Sequence, residues 1–103
     1  MSDPSPEPRF TLFGESRSAS RPEPGLYVVA TPIGNLSDIT LRALQIIAGA
    51  DRLACEDTRV TGKLLSRFGI ERRMSAYHDH SSSEEGDRLI AEVQAGGSLA
   101  LVS

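Results

Sequence analysis

The stretch Gly25-Leu26-Tyr27-Val28-Val29-Ala30-Thr31-Pro32-Ile33-Gly34-Asn35-Leu36-Ser37-Asp38-Ile39-Thr40-Leu41-Arg42-Ala43-Leu44 decides the fold class. A short apolar run, Leu26 to Ala30, enters a tight loop, and an amphipathic helix leaves it. An α/β protein builds ligand sites in this way, at the carboxyl end of a strand. The continuous apolar character of the run predicts a strand buried on both faces. Ser37, Asp38 or Thr40 can cap the helix, which runs to about Ala48 with Leu41, Leu44, Ile47 and Ala48 inward, and Gly49 ends it.

Downstream the alternation continues. Leu53 to Cys55 reads as a second strand. Asp57 or Thr58 caps a second helix that closes at Gly69, and Met74 to Tyr77 reads as a third strand. Ser81 with Glu84, and Ser82 with Glu85, both have capping-box spacing ahead of a third helix. Leu89, Ile90 and Val93 point inward on that helix, and Gly96-Gly97 stops it. Ser98 to Val102 is a fourth strand. Four strands alternating with three helices predict a parallel, doubly wound α/β sheet over residues 25–103.

Upstream, Met1 to Pro24 holds five of the chain's six prolines and five serines, with Phe10, Leu12 and Phe13 as its large apolar groups. That composition predicts a disordered tail over residues 1–24. No apolar h-region follows a basic start, and no run approaches the ~18 apolar residues of a membrane span. A cytoplasmic protein without membrane association is expected. The single cysteine, Cys55, excludes an internal disulfide and a cysteine-based zinc cluster, and reads as a small buried apolar group. A net charge of −3 in 103 residues gives no global attraction to nucleic acid, so any RNA contact needs a local patch.

Several segments can carry chemistry. In the Thr31-Pro32-Ile33-Gly34-Asn35 loop, Pro32 stiffens the turn, Gly34 allows positive φ or close backbone approach, and Asn35 offers a polar tip that makes it a catalytic candidate with Glu56, Asp57 and His78, no base being assigned. The same residues also make an ordinary strand-to-helix turn. The loop is neither a Walker sequence nor a glycine-rich dinucleotide fingerprint. At the second strand's carboxyl end, Glu56 or Asp57 could act as a base or hold a ribose hydroxyl, and Arg59 could hold a phosphate; a helix cap at Asp57 or Thr58 is the plain alternative. Arg59, Lys63 and Arg67 recur at i, i+4 and i+8, opposite Leu64, Leu65 and Phe68, and Arg72 and Arg73 follow. These five cations form a candidate RNA-binding flank, or a solvated helix face. His78 or His80 could transfer a proton or contact RNA, while two histidines do not make a zinc site, so no metal is expected.

These segments, taken together, resemble the ribosomal RNA small subunit methyltransferase I family within the tetrapyrrole methylase superfamily. The matching residues are Leu26 to Leu36 with Asp38-Ile39 and Arg42-Ala43-Leu44, Glu56-Asp57-Thr58-Arg59, Lys63-Leu64-Leu65 with Phe68-Gly69-Ile70, His78-Asp79-His80 and Ala100 to Ser103. The resemblance covers Gly25 to Ser103 and leaves residues 1–24 outside. It implies a two-domain, homodimeric enzyme that uses S-adenosylmethionine to methylate the ribose 2′-oxygen of a cytidine in 16S rRNA of the small ribosomal subunit. In that family an Asp-Ala-Gly-Thr-Pro loop after the fourth strand and a second domain complete the cofactor cleft. The chain is therefore expected to be the amino-terminal part of such an enzyme, inactive alone, with most cofactor contacts beyond Ser103. A tetrapyrrole methyltransferase and a non-catalytic RNA-binding module are the alternatives.

Overall fold

The computed structural model describes residues 7–78 and 81–103. Strands β1 (Arg9–Leu12) and β2 (Glu15–Ser18) form an antiparallel hairpin. Strand β3 (Gly25–Val29) leads through the Thr31–Asn35 loop and a 3-10 turn, Leu36–Asp38, to helix α1 (Leu41–Gly49). Strand β4 (Arg52–Cys55), helix α2 (Thr58–Arg67), the short strand β5 (Ser75–Ala76), helix α3 (Ser83–Gln94) and strand β6 (Ser98–Val102) complete the order. The main sheet is all parallel in the order β3-β6-β4-β5. It is the expected four-stranded α/β sheet with three helices.

Local chemistry sets most boundaries. Thr40 caps α1 by accepting from the Ala43 amide, Asp57 caps α2 by accepting from the Arg59 amide, and Ser82 caps α3 by accepting from the Glu85 amide. Of the two spacings available ahead of α3, the chain therefore uses Ser82 with Glu85. Gly69 closes the turn after α2 at φ +59.

The parallel register places Val29, Leu53, Cys55, Ala100 and Val102 on one face, where they pack with Leu44 and Ile47 of α1 and Leu64 and Leu65 of α2 in a single core. The other face carries α3. There Leu99 and Ala54 are buried, but Leu26 and Val28 stay exposed. Strand β3 lies at the sheet edge, so only one of its faces is buried, contrary to the expectation from its apolar run. Ile90 of α3 and Leu41 of α1 are likewise exposed rather than inward. In α1 the buried stripe runs through Ala43, Leu44, Ile46, Ile47 and Ala48.

The expectation of a disordered segment over residues 1–24 is corrected for residues 7–24. Phe10, 2% exposed, and Ala19 join the core cluster, and Leu12 packs against it. The Thr11 amide donates to the Phe68 carbonyl at 2.6 Å, which seats the hairpin on the carboxyl end of α2. Average composition missed this because one buried aromatic and one main-chain bond anchor a segment whose other residues remain exposed.

Candidate functional site

The carboxyl ends of β3, β4 and β6 meet at one edge of the sheet. Thr31 donates from both its amide (3.1 Å) and its Oγ1 (2.6 Å) to the Ser103 carbonyl, and the Ser103 amide donates to the Val29 carbonyl. The Glu56 amide donates to the Val102 carbonyl, and the Tyr77 amide to the Cys55 carbonyl. These bonds extend the ladder past the strands and fix where the next side chains stand. Two adjoining depressions result. Thr31, Glu56, Asp57, Val60, Thr61, Val102 and Ser103 line one of about 390 Å³. Glu56, Tyr77, His78, Ser81, Leu101, Val102 and Ser103 line the other, of about 350 Å³. Both are within the size range of ligand pockets. Glu56, Val102 and Ser103 form the wall they share.

The candidate residues divide by what their side chains do. Glu56 is exposed at the shared wall, and its carboxylate makes no hydrogen bond or ion pair with the described residues. Asp57 also lines a depression, but its Oδ1 accepts from the Arg59 amide at 2.9 Å and lies 3.7 Å from the Arg59 guanidinium. Asn35 does not line either depression; its Oδ1 accepts from the Ser37 amide and starts the 3-10 turn. Both are capping residues as built, the plainer of the readings open to them. His78 lies on the rim, with its amide donating to Ser81 Oγ and its carbonyl accepting from the Ser81 amide. Asp79 and His80 lie outside the described residues. Pro32 is half-buried, and Gly34 takes φ +87, a conformation that favours glycine at that turn.

The cations behave differently from one another. Arg59, Lys63 and Arg67 line one open groove along α2 with Leu36, Thr58, Gly62 and Ser66. Arg67 donates to Ser37 Oγ at 3.2 Å, tying the end of that groove to the loop after β3. Arg72 is corrected out of this set: it is half-buried, and its Nη1 donates to the carbonyls of Ile47, Ala48 and Ala50 at the carboxyl end of α1. An arginine beside orphan helix carbonyls is drawn to them rather than to solvent. Arg73 is exposed but does not line the groove.

The sequence reading missed Tyr77, Ser81 and the Ser103 carbonyl as site components, because their place depends on strand order and not on local spacing. Buried below the site, Cys55 has its thiol pushed up from the ordinary value by burial, with Asp57 adding to the shift and Thr61 hydrogen bonding opposing it. It is a core group. No described helix is long and apolar enough to cross a membrane. Among the described residues there is no cluster of three or more potential metal ligands.

Comparison with known proteins adds what geometry alone does not. The family model described as Tetrapyrrole (Corrin/Porphyrin) Methylases matches residues 25–103. A Mesorhizobium japonicum protein named "Ribosomal RNA small subunit methyltransferase I" is 58% identical over 93 residues, covering 89% of this chain and 32% of its own length. The Escherichia coli O157:H7 protein of that name is 48% identical over 89 residues, 86% of this chain and 31% of its own. A Synechocystis protein, also so named, is 51% identical over 78 residues, 76% of this chain and 28% of its own. The chain thus spans about a third of the length of the curated relatives it matches. A match of 93 residues exceeds the span from Gly25 to Ser103, so similarity to the Mesorhizobium protein reaches upstream of Gly25, toward the hairpin.

Proposed function

The chain belongs to the tetrapyrrole (corrin/porphyrin) methylase family, and from that premise we propose that it forms part of an enzyme that methylates small-subunit ribosomal RNA with S-adenosylmethionine. The acceptor is the ribose 2′-oxygen of a cytidine in 16S rRNA. The whole enzyme works as a homodimer in the cytoplasm. One observation supports the rRNA-methylating part of the reading: the 58% identity to a protein named as a ribosomal RNA small subunit methyltransferase covers 89% of the chain, enough that Thr31, Glu56, Asp57 and His78 all fall inside the match.

The site's chemistry supports this reading. S-adenosylmethionine supplies a methyl group on a sulfonium centre. A carboxylate at the shared wall of the two depressions suits that cation and its ribose hydroxyls, so Glu56, with Thr31 and Ser103, would line the cofactor's site. A 2′-hydroxyl is a poor nucleophile at neutral pH, so the protein must hold it in line and accept its proton. Of the two carboxylates that line the depressions, that of Glu56 has no bond to another described group, which makes it our candidate to accept that proton as the methyl passes from the donor sulfur to the oxygen. Asp57 and Asn35 act through the backbone, by holding the starts of α2 and of the 3-10 turn. Arg59, Lys63 and Arg67 hold the RNA backbone beside the site. The relatives are about three times as long, and the reading leaves the rest of the cofactor site to the part of them this chain does not span.

The test is a chimera in which this chain replaces the matching segment of the Mesorhizobium relative. Labelled methyl transfer is measured to assembled small subunits, naked 16S rRNA and a porphyrinoid, and product nucleosides are resolved by mass spectrometry. Label in 2′-O-methylcytidine is the expected result. Label on the porphyrinoid, or none on RNA while the unaltered relative is active, sinks the reading.

A further inference from the structure

The tip of the β1–β2 hairpin carries an aromatic side chain in a place that folding does not explain. Leu12 pairs with Glu15, so Phe13-Gly14 is a two-residue loop. Phe13 has φ +51 and Gly14 φ +76, the pattern of a type I′ turn. Asn-Gly is the preferred pair there, and a bulky residue with positive φ is strained. Phe13 is nevertheless 96% exposed, so packing does not offset the strain.

What surrounds the tip is specific. Phe13 lines a groove of about 340 Å³ with Leu12, Ile39, Leu41, Phe68 and Arg67. Arg67 also ends the cationic groove that contains Lys63 and Arg59. The hairpin is held there by the bond from the Thr11 amide to Phe68 and by buried Phe10. Gly69 leaves room for this seating, since a Cβ at that position would stand 2.7 Å from Thr11 Oγ1. An exposed ring on an anchored hairpin therefore adjoins a row of three cations on a chain that is acidic overall.

We propose that this hairpin tip and the α2 groove form one binding track for single-stranded RNA, with an unpaired base stacked on Phe13 and the adjoining phosphates held by Arg67 and Lys63. An aromatic platform beside a positive groove is how proteins hold unpaired strands with little sequence preference. The phosphate charge matches the groove, and a base offers the flat apolar surface that the ring needs. The inference rests on the RNA-directed reading above, and it assigns the hairpin a role in holding the substrate.

The decisive variant is Phe13→Asn, because it separates folding from binding. Asparagine suits the turn, so the urea midpoint rises; stacking is lost, so RNA affinity falls. Binding of a short fluorescent single-stranded RNA is followed by anisotropy across a salt series, on the chain and on the chimera. The expected result is affinity at least about fivefold weaker for Phe13→Asn with an unchanged salt slope, and retained affinity for Phe13→Trp. Arg67→Ala reduces the slope by about 0.7. Wild-type affinity in Phe13→Asn, or no RNA binding by the unaltered proteins, overturns the proposal. So does a loss of self-association, read by sedimentation, in place of a loss of RNA binding. Failure here is distinct from failure of the rRNA reading: methyl transfer to RNA that is indifferent to Phe13→Asn removes only the stacking contact. Phe13-dependent RNA binding without any methyl transfer removes only the enzymatic assignment.

Discussion

Arg72 reaches back across the core to Ala50, its Nη1 donating to that carbonyl at 2.7 Å, and the same nitrogen serves the carbonyls of Ile47 and Ala48. One side chain thus closes the end of α1 and joins it to the segment before β5. Arg72→Met is expected to lower stability by about 2 kcal/mol, as loss of a buried charge-assisted hydrogen-bond set does. Urea denaturation checks this. The salt slope of RNA binding stays unchanged in the variant, because the Arg72 guanidinium is held by the carbonyls that end α1.

A carboxylate staple holds the amino ends of β4 and β6 together. Asp51 Oδ2 accepts from the Ser98 amide at 2.8 Å, from Ser98 Oγ and from Arg21, while the Asp51 amide donates to Ser98 Oγ. Burial pushes the Asp51 pKa up, but the bonds from Ser98 and Arg21 and the charge of Arg21 together hold it below the usual aspartate value. A pKa depressed in the folded state gives stability that is complete above the unfolded value and fades as pH falls through the folded one. An acid titration of stability should therefore lose part of its slope, below the ordinary aspartate range, in Asp51→Asn.

Phe10 tests whether the hairpin belongs to the domain. Truncation of a fully buried phenylalanine costs about 3–5 kcal/mol, so Phe10→Ala should lower the urea midpoint strongly. If residues 7–24 were a detached arm, the midpoint would not move.

Glu56 and Asp57 are neighbours with different work. Asp57→Asn keeps the cap and should leave stability within a few tenths of a kcal/mol, whereas Asp57→Ala costs about 1 kcal/mol. Glu56→Gln should leave stability unchanged, since no described group bonds its carboxylate, and should slow methyl transfer by the chimera about 100-fold or more if it accepts the proton. Equal rates for Glu56→Gln and wild type would place Glu56 outside the chemistry.

The Cys55 thiol is buried, and that burial disfavours the reactive thiolate. A thiol reagent should label it only as fast as the chain opens, so labelling accelerates with denaturant in step with unfolding. Rapid labelling under native conditions would contradict the core packing around it.

Local features were legible in the sequence. The span of β6 and a short set of candidates for each helix cap follow from side chains and backbones within a few residues of each other, and the structure selects Thr40, Asp57 and Ser82 from those sets. The alternation that makes the sheet parallel was legible in the same way. Tertiary structure alone decided the rest. Arg59, Lys63 and Arg67 share a groove because they share a helix face, but Arg72 leaves them because α1 ends beside it. The strand order β3-β6-β4-β5 brings Ser103 against Thr31, 72 residues away, and so assembles the depressions. The hairpin docks because the end of α2 offers a carbonyl and an apolar seat that no count of prolines and serines reveals. Short-range geometry is written in neighbouring residues; burial and convergence depend on surfaces that exist only after distant segments have packed.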